Sequence, residues 1–252
     1  MSRRVLISGS VAYDTIMVFE GHFREHILAD RVHMLNVCFL TPSMKREYGG
    51  CAANIAYSLK ALGGEPVILA AVGHDGEPCL QRLAGLGIDI EPVLRCPDLF
   101  TAQAFITTDL SDNQITAFHP GAMSQAHRVS AVRAAEGGAA WAIVAPNGRE
   151  AMLAHAREFS AAGVPWLFDP GQGLPMFSAA ELREFIESAS AVAVNDYEGQ
   201  LLSERTGWSE DEIAARVEAL IVTRGAQGSV LIENSRRHLV EAVPVTRAVD
   251  PT

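Results

Sequence analysis

Apolar residues recur along this chain at two alternating periods. Ala52, Ile55, Ala56, Leu59 and Leu62 follow the i, i+3, i+4, i+7 spacing of a helix that buries one face. Gly49-Gly50 opens that helix, and Gly63-Gly64 supplies a left-handed exit. Cys79, Leu80, Leu83 and Leu86 predict a second helix. Residues 5–8 and 67–72 are short apolar runs suited to buried strands, and residues 15–19 and 33–39 are β-prone around a polar, histidine-containing middle. Residues 102–107 and 114–118 flank a turn at 109–113 that contains no glycine, and they predict a hairpin. Beyond Gly121, strands at 141–145, 166–168, 191–194 and 220–223 alternate with helical stretches. That rhythm predicts an α/β fold whose mostly parallel central sheet has helices on both faces. The two β-rich excursions predict a small β lid.

Polar residues follow the predicted strands one after another: Asp14, Asn147, Asp169, Asn195 and Thr223. Ligands of open α/β sheets sit beyond the carboxyl ends of the strands, so the pattern gathers these groups on one rim. Bulk composition narrows the chemistry. With 48% hydrophobic and 20% charged residues, the 252 residues suit one large domain. The net charge of −10 argues against a nucleic-acid surface, while leaving room for a small anion held by local donors. Four scattered cysteines without a CxxC predict reduced thiols instead of disulfides or a zinc knuckle. Arg3-Arg4 before Val5-Leu6-Ile7 is too short for a signal peptide, and no run approaches a membrane span, so a cytoplasmic protein is expected.

Several stretches carry a structural and a functional reading together. Asp14 is either a turn residue or a ligand-binding carboxylate, whose two oxygens can accept from vicinal hydroxyls. Asn195-Asp196-Tyr197-Glu198 has the polar-x-x-Glu form of a helix N-cap, shared with Asn147–Glu150, Ser178–Glu181 and Ser209–Glu212. Residues 222–228, Val-Thr-Arg-Gly-Ala-Gln-Gly, form either a tight turn into the next strand or a glycine-lined approach to phosphate. Gly85-Leu86-Gly87 ends a helix, which removes the main support for a dinucleotide-binding oxidoreductase. His22-Phe23-Arg24-Glu25-His26 fits the HxxEH zinc pattern in letters, but Gly21 and β-like flanks make a poor context for it.

Gly49-Gly50-Cys51-Ala52-Ala53-Asn54-Ile55-Ala56 resembles the substrate-side signature of the ribokinase-like (PfkB) family of sugar and nucleoside kinases. The resemblance extends over essentially the whole chain. It is nearer to bacterial adenosine kinases than to ribokinases or fructokinases on Phe23–Leu28 (Phe-Arg-Glu-His-Ile-Leu), Phe118–Met123, Asp169–Gln172 and Asn195–Glu198. It implies transfer of phosphate from ATP, with Mg2+, to the 5′-hydroxyl of adenosine. It implies that Ser10, Asp14, Gly50 and Asn54 hold ribose, that Phe118 covers the base, and that Gln172 lines the same pocket. On the nucleotide side it implies Thr223, Gly225 and Gly228. Asn195 and Glu198 would order magnesium through water. One domain spanning residues 1–252 is implied, with lid insertions at about 12–48 and 101–120 and a homodimer through the lid as the expected assembly. A sugar kinase is the alternative acceptor class.

The sequence departs from that pattern in three places. Ala53 stands where the motif often has glycine, and Cys38 lies where relatives present serine from a lid strand. Val249-Asp250-Pro251-Thr252 resembles the start of the family's DTxGxGD motif, and the 252 residues stop before the GxGD. That piece carries the anion hole and the catalytic aspartate. The expectation is therefore a shortened kinase with little or no activity, and the rival is a non-catalytic nucleoside-binding protein.

Overall fold

The computed structural model describes residues 3–27 and 36–245. The chain opens with β1 (Arg4–Ser8), β2 (Ala12–Val18), the single helical turn α1 (Phe23–His26) and β3 (Ser43–Gly49). The glycine-opened helix α2 (Cys51–Ala61) leads to β4 (Glu65–Leu69), β5 (Ala71–Gly73), α3 (Glu77–Gly85) and β6 (Leu94–Cys96). The hairpin follows as β7 (Ala102–Thr108) and β8 (Gln114–His119), with α4 (Ala131–Ala135) after it. The alternating half is β9 (Trp141–Val144), α5 (Arg149–Ala161), β10 (Trp166–Phe168), α6 (Ala179–Ser188), β11 (Ala191–Asn195), α7 (Asp196–Thr206), α8 (Glu210–Ala214) and β12 (Ala219–Thr223). It closes with β13 (Ser229–Glu233) and β14 (Arg236–Val240).

Eight strands form the central sheet in the order β14-β13-β12-β11-β10-β9-β1-β4. Neighbours from β12 to β4 are parallel, and β13 and β14 add antiparallel strands at one edge. Because strand side chains alternate between faces, Leu6 and Ile7 point into different cores. Leu6 joins Val144, Phe168, Val192 and Leu220 under α5 to α8, while Ile7 joins Ile68 and Ala70 under α2 and α3. Among the described residues, the second helical layer reaches only the β1–β4 end. Leu167, Ala193, Ile221 and Leu231 share the Ile7 face by register and stay partly exposed among the described residues.

A second sheet, β3-β2-β7-β8, stands beside the first. β2 pairs with β3 and β7 with β8 in antiparallel fashion, and β2 runs parallel to β7. The predicted strand at 33–39 does not form over its described part: residues 36–40 are irregular, and 33–35 lie outside the described residues. The partner of β2 is Ser43–Gly49 instead, so exposed Cys38 is not on a strand. β2 finds its partner through the register that ends at the Gly49-Gly50 turn, which overrides local propensity. Asp14 likewise sits inside β2 and not in the turn before it. The glycine-free turn between β7 and β8 is held by Asp109. Its carboxylate accepts from the Ser111, Asn113 and Phe23 backbone N–H groups, and Asp112 takes the left-handed φ of 57°.

One polar network lies within the core. Fully buried His155 takes the Ser8 hydroxyl on Nδ1 at 2.7 Å, and its Nε2 faces the Val129 carbonyl at 2.9 Å. That geometry puts the proton on Nε2, and burial pushes the imidazole pKa down, so the ring is neutral. Asn147 belongs to this network and is not the predicted N-cap. Its Nδ2 donates to Ser8 Oγ at 3.4 Å, and Gly148 takes the cap position of α5.

Candidate active site

The turn after β1 and the start of α2 build the floor of the rim together. Ser10 Oγ accepts from Cys51 N at 3.0 Å, and the Ser10 carbonyl accepts from Ala52 N at 2.9 Å. Gly50 adopts φ 98°, and a Cβ there would lie 2.5 Å from the Ser10 carbonyl oxygen. No other residue fits without moving that turn. The first-turn N–H of Asn54 is closed internally onto the Gly50 carbonyl at 3.0 Å. The Asn54 side chain is exposed and borders a cavity of about 330 Å3 with Tyr48, Tyr57 and Arg82.

Asp14 reaches this floor from the second sheet. Its carboxylate lies against the Cα of Gly49, where a side chain would collide with it. It is half-buried and has no hydrogen-bond partner among the described residues, and burial alone raises its pKa. A half-buried acceptor with unused lone pairs is suited to hydroxyl donors. Register adds a second group. Asp14 pairs with Ala104, and Ala104 pairs with Phe118, so all three project from one face of the second sheet. Phe118 is 50% exposed. Two strand spacings separate Asp14 from Phe118, about 10 Å. Ala104 lies between the carboxylate and the ring, and Ile16 and Ile106 extend the same face two residues further along, beside Lys45 and Glu47 of β3.

Across the floor stands Asp169, at the end of β10. Burial and the nearby charge of Glu198 lift its pKa from 3.8 to about 6. Asp169 and Asp14 both act electrostatically on the Cys51 thiol, whose pKa is raised chiefly by burial. The rim thus places Cys51 within electrostatic range of both Asp14 and Asp169, and Asp169 within range of Glu198, although these residues are far apart in sequence. Gln172 lies exposed in the 3-10 segment Gly171–Met176 that follows Asp169.

Asn195 and Glu198 form a capping box on α7: Asn195 Oδ1 accepts from Glu198 N at 2.7 Å, and Glu198 Oε2 accepts from Asn195 N at 2.8 Å. Ser178 and Ser209 make the same box on α6 and α8. The Asn195 amide N–H2 and Glu198 Oε1 remain available, so capping leaves both residues something to bind with. Thr223 ends β12, and the following turn is closed by Arg224 N donating to the Gly228 carbonyl at 2.8 Å. Gly225 and Gly228 both take positive φ, and Gly228 lies against the backbone of Val240 to Ala242. The tight-turn reading of this segment is what its geometry displays.

Two carboxylates had no role assigned from sequence. Asp169 was visible as a polar residue after a strand and as the first residue of the Asp169–Gln172 stretch of the family resemblance, without a role of its own. Asp75 accepts from Thr101 N at 2.7 Å, Gln103 Nε2 at 3.2 Å and Arg46 Nη2 at 3.3 Å, and its carbonyl accepts from the Tyr13 hydroxyl at 2.8 Å. Its only sequence signal is the short loop Gly73-His74-Asp75-Gly76 after a strand. The HxxEH residues go elsewhere. His22 contacts Ser111 Oγ at 2.9 Å, and His26 packs edge-on against Phe19 and Phe39. Among the described residues, no group of three or more His, Cys, Asp or Glu side chains is arranged to hold a metal ion, and no helix is long and apolar enough to cross a membrane.

A parallel sheet with its polar groups on one rim, flanked by a small second sheet, is the ribokinase-like architecture of small-molecule kinases. The chain belongs to the pfkB family of carbohydrate kinases, which it matches over residues 5–252. It is similar to a nucleoside kinase of Burkholderia thailandensis solved with inosine, at 51% identity and a TM-score of 0.88, covering 98% of this chain and 79% of that one. The same kinase solved with ADP and inosine superposes with a TM-score of 0.84 at 53% identity, covering 98% and 77%. A nucleoside kinase of Methanocaldococcus jannaschii is 31% identical over 219 residues, 86% of this chain and 71% of that protein.

Proposed function

We propose that this chain is a nucleoside kinase whose acceptor is a purine nucleoside, with adenosine as the expected substrate and ATP as donor. The observation that carries this reading is the shared face of Asp14 and Phe118. A partnerless carboxylate and an exposed ring, about 10 Å apart across Ala104, suit a ribose and a flat base at once. A free sugar would use the carboxylate and leave the ring wet. The inosine complex of the Burkholderia relative supports a purine nucleoside over a sugar.

In the proposed reaction the 5′-oxygen forms a bond to the γ-phosphorus of ATP, the bond to the β-γ bridging oxygen breaks, and the hydroxyl proton passes to a base. Ser10, Gly50 and Asn54 would line the ribose side and Gln172 the base side. Thr223, Gly225 and Gly228 would face the nucleotide. Asn195 and Glu198 would hold Mg2+ through water, with Asp169 beside them. Two neighbouring carboxylates with free oxygens fit that ion, which keeps several waters and takes few protein ligands. Mg2+ supplies charge neutralisation on the phosphates, and the protein supplies positioning.

Calorimetry with adenosine, inosine and ribose tests the reading. Both nucleosides should bind at least roughly tenfold more tightly than ribose. Asp14→Asn should weaken nucleoside binding by roughly tenfold or more while the circular dichroism spectrum is kept, as expected for lost hydrogen bonds to a charged group. Ribose binding as tightly as nucleosides would return the chain to the sugar kinases.

A further inference from the structure

We propose that His155, buried in the core, is a positioning residue for the floor on which ribose would sit. The inference rests on reading Ser10 and Gly50 as the ribose side. Eight polar or charged residues are buried among the described residues. Four of them, Ser8, Ser10, Asn147 and His155, meet where β1 and β9 end, with His155 reaching in from α5. Their core neighbours Leu6, Val144, Met152 and Phe159 are apolar. Apolar side chains in place of Ser8, Asn147 and His155 would fill the same space without desolvating polar groups, so packing alone does not call for this network.

The bonds of the network have one consistent direction. The Val129 carbonyl can only accept, so His155 Nε2–H donates to it at 2.9 Å, and Nδ1 accepts from the Ser8 hydroxyl at 2.7 Å. Having donated, Ser8 Oγ accepts from Asn147 Nδ2 at 3.4 Å, and Asn147 Oδ1 accepts from Gly148 N at 2.8 Å. The network backs the floor from within. The Ser8 carbonyl accepts from Ala145 N at 2.8 Å, and Ser10 N donates to the Pro146 carbonyl at 2.9 Å. Ser10 in turn holds the N–H groups of Cys51 and Ala52. Gly9 between them has no slack, since a Cβ there would lie 2.9 Å from Ala52 N. A shift of Ser8 therefore passes on to Ser10 and Gly50 instead of being absorbed. A misplacement of about 1 Å in a positioning group costs on the order of a hundredfold in catalysis. The Val129 bond ties the same imidazole to the segment Gly121–Arg128, which returns from the strand that carries Phe118.

Two isosteres divide the roles of the ring nitrogens. Asparagine places an acceptor near Nδ1, and glutamine places a donor near Nε2. Calorimetry with adenosine and inosine gives affinity, and urea unfolding gives stability. His155→Asn should bind nucleoside as the unaltered chain does, although it loses the Val129 bond. His155→Gln and Ser8→Ala should each bind at least roughly tenfold more weakly while keeping the circular dichroism spectrum. Ser8→Ala is the smallest change and decides the matter if the His155 variants unfold. Phe185→Leu, a core variant stacked on Phe168 of β10, should lose stability and keep its affinity. Amide hydrogen exchange at Ser10 and Cys51 should quicken in His155→Gln and Ser8→Ala and not in His155→Asn. Full affinity in Ser8→Ala would overturn the proposal. Affinity that follows stability across all four variants would also overturn it, since the imidazole would then only fill the core. If the unaltered chain binds neither nucleoside, the nucleoside reading fails, and exchange at Ser10 still decides whether His155 holds this turn.

Discussion

Asp169 shows how a single residue couples the rim to pH. Burial and the charge of Glu198 disfavour its ionised form, so its pKa rises from 3.8 to about 6. Between those values the folded chain keeps a proton that the unfolded chain has released. The stability linked to this residue is therefore complete below about pH 3.8 and is lost as pH rises through about 6. The magnitude is on the order of 3 kcal/mol. Carbon-13 NMR of the Asp169 carboxyl group should titrate with a midpoint near 6. Glu198→Gln keeps the α7 cap but removes the charge, and should move the midpoint down without bringing it to 3.8, because burial remains. Asp169→Asn should be the more stable protein at pH 7. A midpoint near 4 in the unaltered chain would refute the account. Magnesium held at this pair should lower the midpoint, which gives a readout that needs no turnover.

At the scale of elements, the capping boxes separate structure from proposed chemistry. Asn195→Ala and Ser178→Ala each remove an N-cap acceptor from a comparable helix, and each should cost about 1 kcal/mol in urea unfolding. Only Asn195→Ala should also weaken binding of ATP with magnesium, and equal nucleotide affinity in the two variants would reduce Asn195 to a cap. Such boxes were legible in the sequence because their four residues are contiguous. The α2 helix and the strands of the alternating half were legible for the same reason, their apolar periods being local. Asn147 misled because its amide is spent on Ser8, 139 residues away. The second strand of the small sheet misled because Lys45, Arg46 and Glu47 carry no strand signal of their own. Pairing with β2 imposes it. The sharing of one face by Asp14 and Phe118 depends on a register between strands about a hundred residues apart, which no spacing reveals.

At the scale of the whole molecule, the described residues form an eight-stranded, a four-stranded and a two-stranded sheet, and Asp75 is a hydrogen-bonded knot where the four-stranded sheet meets the rest. Its carboxylate and carbonyl take up Tyr13 from β2, Arg46 from β3, and Thr101 and Gln103 at the start of β7, while Asp75 itself belongs to the loop leaving β5. Arg46 also stacks on Tyr13, with its guanidinium carbon 3.8 Å from the ring centre. Burial opposes the charge on Asp75, but the Thr101 N–H and hydroxyl and the Arg46 charge outweigh it, so its pKa ends below 3.8. The stabilisation is present above pH 3.8 and is lost as pH falls through that lowered value. If the small sheet is the lid of the proposed kinase, this knot sets the angle from which Asp14 meets ribose. Asp75→Asn preserves the shape and removes the charge, at a cost of about 1–3 kcal/mol. Amide hydrogen exchange in β2, β3 and β7 should quicken by roughly tenfold or more, with β9 to β11 unaffected, because the loss loosens one unit and not the fold. The nucleoside should then dissociate faster. Unaltered exchange in β2 would mean that the sheets are held by packing alone, and uniform quickening would mean that Asp75 supports the whole domain.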